Sequence, residues 1–370
     1  MLKLLRKNSS SNEYRPIFSE KLRSIRQDAL KKRKQISEKD LDRPVSFWIK
    51  KDRLINKVGK ALTIILRTKG CSWSLSESGG CTMCGYIQDA PIEGVNQNHI
   101  QNQIDYVLNK TINEISEDNE KYALKIFNSG SFFDENEISD EVRQFIYERV
   151  ASIENIEELV IESRVEYINT EKLRKIKENL KGKYIEIAVG IETVNDYIRN
   201  YYINKGMRFE EFKQILQICK ENEIGIKAYL LLKPPFLTET GAIDDCINSI
   251  KTLIDLKVNT ISINPLNIQR GTLTEYLWYK NKYRPPWFHS LFKVLEKSLT
   301  QKDLTSVRVI SDPSGAGTKR GIHNCLKREC EKAAQKRLQD FVSSQELTSL
   351  EDFEYECDCK RKYQLQKSFY

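Results

Sequence analysis

Strand-like and helix-like segments alternate from about residue 62 to about residue 265, and this alternation limits the folds open to the chain. Short β-branched runs occur at 62–67, 123–128, 159–162, 184–191, 225–232 and 260–264. Most are followed by a longer amphipathic stretch, as at 138–153, 172–180, 209–223 and 243–256. Six strand–helix units in succession predict parallel strands with helices packed outside them. The spacing suits a partial TIM-type (β/α)6 barrel, with a doubly wound α/β sheet as the alternative. A further run at 306–310 is a candidate strand at the sheet edge. Phe212, Ile215 and Cys219 stand at helical spacing, and Cys246 has Ile243 and Ile247 as neighbours. Cys219 and Cys246 are therefore expected in the core. Three regions follow: a basic extension over 1–45, a barrel over 46–311 and a cysteine-rich C-terminal region over 312–370.

Polar and glycine-rich residues gather where the strands end. These are Gly70-Cys71, Asn128-Ser129-Gly130-Ser131, Glu162-Ser163-Arg164, Gly190-Ile191-Glu192-Thr193, Lys233-Pro234-Pro235 and Asn264-Pro265. In a βα barrel, ligands bind at the C-terminal ends of the strands. One or two such ends would be ordinary turn chemistry, whereas six on one rim predict a polar, ligand-binding mouth.

The most specific local signal follows the first of these strands. Cys71, Cys81 and Cys84 form a C-x9-C-x2-C loop. Thiolates are soft ligands for zinc or for iron–sulfur clusters. A structural zinc site takes four ligands. The next histidine, His99, lies beyond the start of an expected helix, and the chain has only three histidines. Three thiols without a local fourth ligand favour a cluster with one iron left open.

A three-cysteine loop after strand one of a βα barrel resembles the radical S-adenosylmethionine (SAM) superfamily. The long first gap resembles the branch that contains the elongator catalytic subunit, as do Gly190-Ile-Glu-Thr-Val-Asn-Asp-Tyr-Ile-Arg199 and Lys227-Ala-Tyr-Leu-Leu-Leu-Lys-Pro-Pro235. The residues after the barrel are too few for the elongator's acetyltransferase domain. Within the branch, four stretches resemble the archaeal archaeosine-forming radical SAM family, RaSEA. They are Cys81-Thr-Met-Cys84-Gly-Tyr86, the segment Ser262 to Thr272, Tyr283-Arg-Pro-Pro-Trp287 and Arg320-Gly-Ile-His-Asn-Cys325.

The resemblance implies a [4Fe-4S] cluster on Cys71, Cys81 and Cys84, and SAM on its open iron. It implies SAM contacts from Asn128, Ser129, Gly130, Glu162, Arg164 and Glu192, and from Met83 and Tyr86 in the cysteine loop. The Asn-Ser-Gly-Ser sequence departs from the superfamily's usual Gly-Gly-Glu. It further implies an enzyme acting on a lysine-bearing 7-deazaguanine in the tRNA D-loop. Cleavage of the lysine C–N bond, a lyase-type step, would leave archaeosine. The lysine would come from a partner enzyme, ArcS, and the electron from a low-potential donor. Two alternatives stay open: an elongator-like radical SAM enzyme for another base or a small molecule, and a non-catalytic zinc-dependent RNA-binding protein.

Charge and the tail complete the reading. Residues 1–60 carry 18 Lys/Arg against 7 Asp/Glu, a net of +11, while the whole chain is +8. This excess, around Lys21, Arg23, Arg26 and Lys31–Lys34, is a candidate tRNA phosphate site; a solvated helix face is the plainer reading. Cys325-x4-Cys330 and Cys357-x-Cys359 offer four thiols for zinc. An auxiliary cluster, His323 in place of one cysteine, and no metal are the competing readings. Without a long apolar run, neither a membrane span nor a secretory leader is expected, and the chain reads as cytoplasmic.

Overall fold

Parallel strands covered on both faces are built from apolar runs, and all six runs become strands. The structure, a computed structural model, describes residues 16–33, 36–351 and 357–368. Strands β1 (Ser46–Arg53) and β2 (Val58–Ile65) form an antiparallel hairpin. Strands β3 (Tyr122–Phe127), β4 (Ile156–Glu162), β5 (Tyr184–Glu192), β6 (Gly225–Leu232), β7 (Thr260–Pro265) and β8 (Arg308–Ile310) follow, each parallel to the one before.

The sheet order is β1 through β8 without a break. A doubly wound sheet would reverse direction at a switch point. No reversal exists here, so the sheet is singly wound and the chain is a partial barrel. β1 and β8 remain its two edges. Side chains reach between them: Arg308 donates to the Arg53 carbonyl at 3.1 Å, and Lys50 pairs with Asp312.

Helix α1 (Ser19–Lys31) precedes the sheet. Helices α2 (Gln97–Glu117), α3 (Asp140–Ala151), α4 (Thr170–Asn179), α5 (Phe209–Glu221) and α6 (Glu239–Asp255) fill the crossovers. Their starts are written in the sequence. Asn96, Ser139, Asn169 and Thr238 each accept the backbone N–H three residues on, in α2, α3, α4 and α6 respectively. Cys219 on α5 and Cys246 on α6 are buried in the main core. No helix among the described residues is long and apolar enough to cross a membrane.

The lumen floor is ionic. Arg308 donates to Glu158 at 3.1 Å and to Glu186 at 2.7 Å, and Asp52 pairs with Lys125. Lys227 stands beside them, its pKa pushed down to about 7 by burial and by neighbouring Lys125. The rim at the opposite ends of the strands carries the candidate site.

Candidate functional site

β2 runs off the sheet into the cysteine loop. Cys81 is buried, while Cys71 and Cys84 are partly so, and all three are free thiols. Burial pushes the Cys84 thiol up to about 12, reinforced by Cys81, and raises Cys81 as well. Cations face the loop: Lys205 and Arg164 act on Cys81, and Arg26 acts on Cys84. An anionic group held by three thiolates suits that surrounding. Met83 packs with Cys81, Cys84 and Trp73 in a small apolar cluster, while Tyr86 stays exposed.

The strand-end residues close around this loop. Gly130 is a close approach: a Cβ there would meet the Glu137 carboxylate at 1.8 Å and Cys71 Cα at 2.8 Å. Glu137 accepts from Thr68 at 2.6 Å, Asn128 at 2.7 Å and the Ser131 amide at 2.8 Å. Burial raises its pKa to about 7. Asn128 thus commits its amide NH2 to Glu137, and its Oδ1 is buried with no partner among the described residues. Ser129 donates a long bond to the Tyr86 carbonyl at 3.4 Å.

Arg164 is buried at the rim. It binds Glu166 at 2.8 Å and the Lys205 carbonyl at 3.1 Å, and lies over the Trp73 ring at 5.2 Å. Glu162 ends β4, and burial lifts its pKa to about 7 against the pull of Lys205. β5 bulges between Gly190 and Glu192, and Glu192 takes φ 65°. Bulges re-aim side chains beside functional sites; this one brings Glu192 to Lys205 Nζ at 2.7 Å. Lys205, Glu137 and Glu166 carry no spacing signal in the sequence, because the fold alone brings them to the rim.

Two expectations need correction. Arg26 is not a free surface charge: it is buried and donates to the Gly79 carbonyl at 2.9 Å and the Cys84 carbonyl at 2.7 Å. Helix α1 therefore lies on the cysteine loop, with Phe18 stacked on Phe236 at 5.1 Å and Lys21 over Tyr276 at 4.5 Å. Lys21, Lys31 and Lys32 remain exposed; Lys34 lies outside the described residues. The second correction is His323, which binds the Gly321 carbonyl at 2.7 Å and does not join the tail thiols. His99 is engaged by Asp42 at 2.9 Å.

Cys325, Cys330, Cys357 and Cys359 close into a set of four sulfurs, all within 4.8 Å of one another. Cys325 and Cys357 are 3.6 Å apart, and Cys330 and Cys359 3.7 Å. Zinc–sulfur bonds of about 2.3 Å in a tetrahedron place sulfurs about 3.8 Å apart. A cubane cluster spreads its thiolates over four separate irons and needs wider spacing. The tail geometry therefore fits one ion. His289, which the sequence did not flag, reaches Cys359 Sγ with Nε2 at 3.3 Å.

No family model matches the chain. It is 38% identical over 344 residues to an uncharacterised protein of Methanocaldococcus jannaschii, covering 93% of this chain and 91% of that one. It is 37% identical over 319 residues to the archaeosine synthase subunit beta of Thermococcus kodakarensis, covering 86% and 96%. The protein of the same name from Methanosarcina acetivorans is 34% identical over 331 residues, covering 90% and 92%. Among solved structures, the Methanocaldococcus infernus Elp3 lacking residues 1–46 aligns at TM-score 0.47 and 16% identity, over 66% of this chain and 58% of that one. Methylornithine synthase aligns at 0.41 and 12%, over 92% and 91%. On the length and identity of the sequence matches, the chain belongs to the archaeosine synthase subunit beta family.

Proposed function

We propose that the chain is a radical SAM enzyme that releases the lysine carbon chain from a lysine-bearing 7-deazaguanine in tRNA, leaving archaeosine. The observation that carries this reading is the grouping of Cys71, Cys81 and Cys84 on the sheet rim, with cations around them and the unpartnered Asn128 Oδ1 on the next strand end. In this reading the three thiolates hold a [4Fe-4S] cluster. When bound, the cluster and SAM would supply one-electron chemistry capable of removing a hydrogen atom from substrate.

The chain's own residues bind and orient. Asn128 Oδ1 would accept from the SAM ammonium, and Gly130 lets Glu137 and the Cys71 backbone pack closely beside it. Arg164, held over Trp73 and bound to Glu166, offers its remaining donors to a carboxylate. Glu192, fixed by Lys205, faces the nucleoside. Glu162, with a pKa of about 7, can hold or release a proton in the lumen near neutral pH. Lys21, Lys31 and Lys32 meet tRNA phosphates. The four tail thiols hold a structural zinc that pins the C-terminal region. A lysine-attaching enzyme of the ArcS type supplies the substrate, and a low-potential donor the electron.

The test is direct. Reconstituted protein, SAM, a strong reductant and lysine-bearing tRNA should give archaeosine and 5′-deoxyadenosine. Lysine-bearing tRNA that survives while SAM is cleaved would defeat the substrate reading and leave the SAM reading standing.

A further inference from the structure

Arg26 carries a charge that no described residue balances with an ion pair. Its side chain is 3% exposed, on the face of α1 that also buries Leu22 and Ala29. Nε donates to Gly79 O at 2.9 Å, and Nη2 donates to Cys84 O at 2.7 Å and to Cys81 O at 3.4 Å. Nη1 is buried without a hydrogen-bond partner. Among the described residues no carboxylate forms an ion pair with it. Other buried arginines among the described residues are paired, Arg308 with Glu158 and Glu186 and Arg199 with Asp196, and buried Lys233 pairs with Glu239. Buried Lys227 has no ion pair, but its pKa of about 7 lets it shed the charge, which a guanidinium does not do.

A buried, unpaired guanidinium is strongly destabilising, and a neutral side chain could serve the three carbonyls without that penalty. The positive charge therefore needs an anion at the loop it touches. The carbonyls it binds belong to Gly79, Cys81 and Cys84 of that loop.

We infer that Arg26 is a positioning residue and the counter-charge of the anionic group held by Cys71, Cys81 and Cys84, delivered from outside the barrel by the N-terminal helix. The inference rests on the reading of those cysteines as cluster ligands. A cation beside a cluster stabilises the state with one more electron, so Arg26 raises the reduction potential, while its hydrogen bonds hold the loop at Gly79, Cys81 and Cys84.

The test compares wild type, Arg26→Gln and Arg26→Lys after anaerobic reconstitution. Iron and sulfide content, an EPR-monitored redox titration and hydrogen exchange of residues 79–84 are measured on each. At equal iron content, Arg26→Gln should have a more negative potential than wild type, and Arg26→Lys should lie close to wild type. Exchange in 79–84 should quicken in both, because lysine cannot reproduce the planar fork. An unchanged potential in Arg26→Gln overturns the inference. If Arg26→Gln loses iron, Arg26→Lys decides. Iron and potential retained there support the counter-charge, whereas iron lost there with the sheet intact leaves only a hydrogen-bonding role and overturns it. Wild type that takes up no iron defeats the cluster reading itself.

Discussion

Glu162 shows what a single rim residue contributes. Its carboxyl titrates at about 7 in the fold and at 4.5 in a free chain, chiefly because burial disfavours the charge. The folded form therefore keeps a proton that the unfolded chain loses between those two values. Stability is fully present below 4.5 and declines as pH rises towards 7. Glu162→Gln in metal-free protein should match wild type at pH 4 and exceed it by about 2 kcal/mol at pH 8, discounting the shift for partial exposure. Urea unfolding at both pH values measures this, and equal stabilities at pH 8 would refute it. For the cysteines, alanine at Cys71, Cys81 and Cys84 together should abolish loop iron and reductive SAM cleavage with circular dichroism unchanged. SAM cleavage by that triple variant would end the radical SAM assignment. The cysteine loop was legible because its three thiols lie close together in sequence. The strand-end residues were legible as a rim. The burial of Arg26 and the parts played by Glu137 and Lys205 were not legible, because they depend on partners that only the fold brings near.

At the scale of elements, α1 has two faces with different work. Arg26, Leu22 and Ala29 are buried, while Lys21, Lys31 and Lys32 face solvent. Lys31→Glu with Lys32→Glu should weaken tRNA binding and flatten its salt dependence by about 0.7–0.9 in log–log slope for each phosphate no longer neutralised. An unchanged slope in a filter-binding titration would mean that this face is merely solvated. The tail, whose helix α7 (Arg328–Ser344) carries Cys330 in its first turn, should carry about one zinc per chain. Cys330→Ala should remove it and lower the melting temperature by roughly 2–4 °C for each kcal/mol of stability removed. Metal analysis that finds iron in place of zinc would favour a second cluster. Sequence patterns revealed the parallel strands because burial on both faces demands apolar runs. They missed β1, whose segment Ser46-Phe-Trp-Ile-Lys-Lys-Asp-Arg53 is half exposed along its length. An edge strand is defended by charge rather than built from β-branched residues.

The whole molecule winds in one direction, each strand beside its predecessor. Sequence legibility was high at this level: alternation revealed the unit and its repetition, and only the choice between single and double winding needed the structure. Winding of this kind lets units add in the order in which the chain is made. α1 is the exception. It comes first in sequence, but it rests on the cysteine loop, on Phe236 after β6 and on Tyr276 after β7. Its seat is complete only when nearly all of the sheet exists. Pulse-labelled exchange during refolding should show α1 protected after β2 to β5, and protection of α1 ahead of β6 would refute that order. With that order, a newly made chain would pass through a stage in which the barrel has largely formed and its thiol loop is still uncovered. A segment that precedes the sheet in sequence thus closes over the thiol loop only once the sheet is nearly complete.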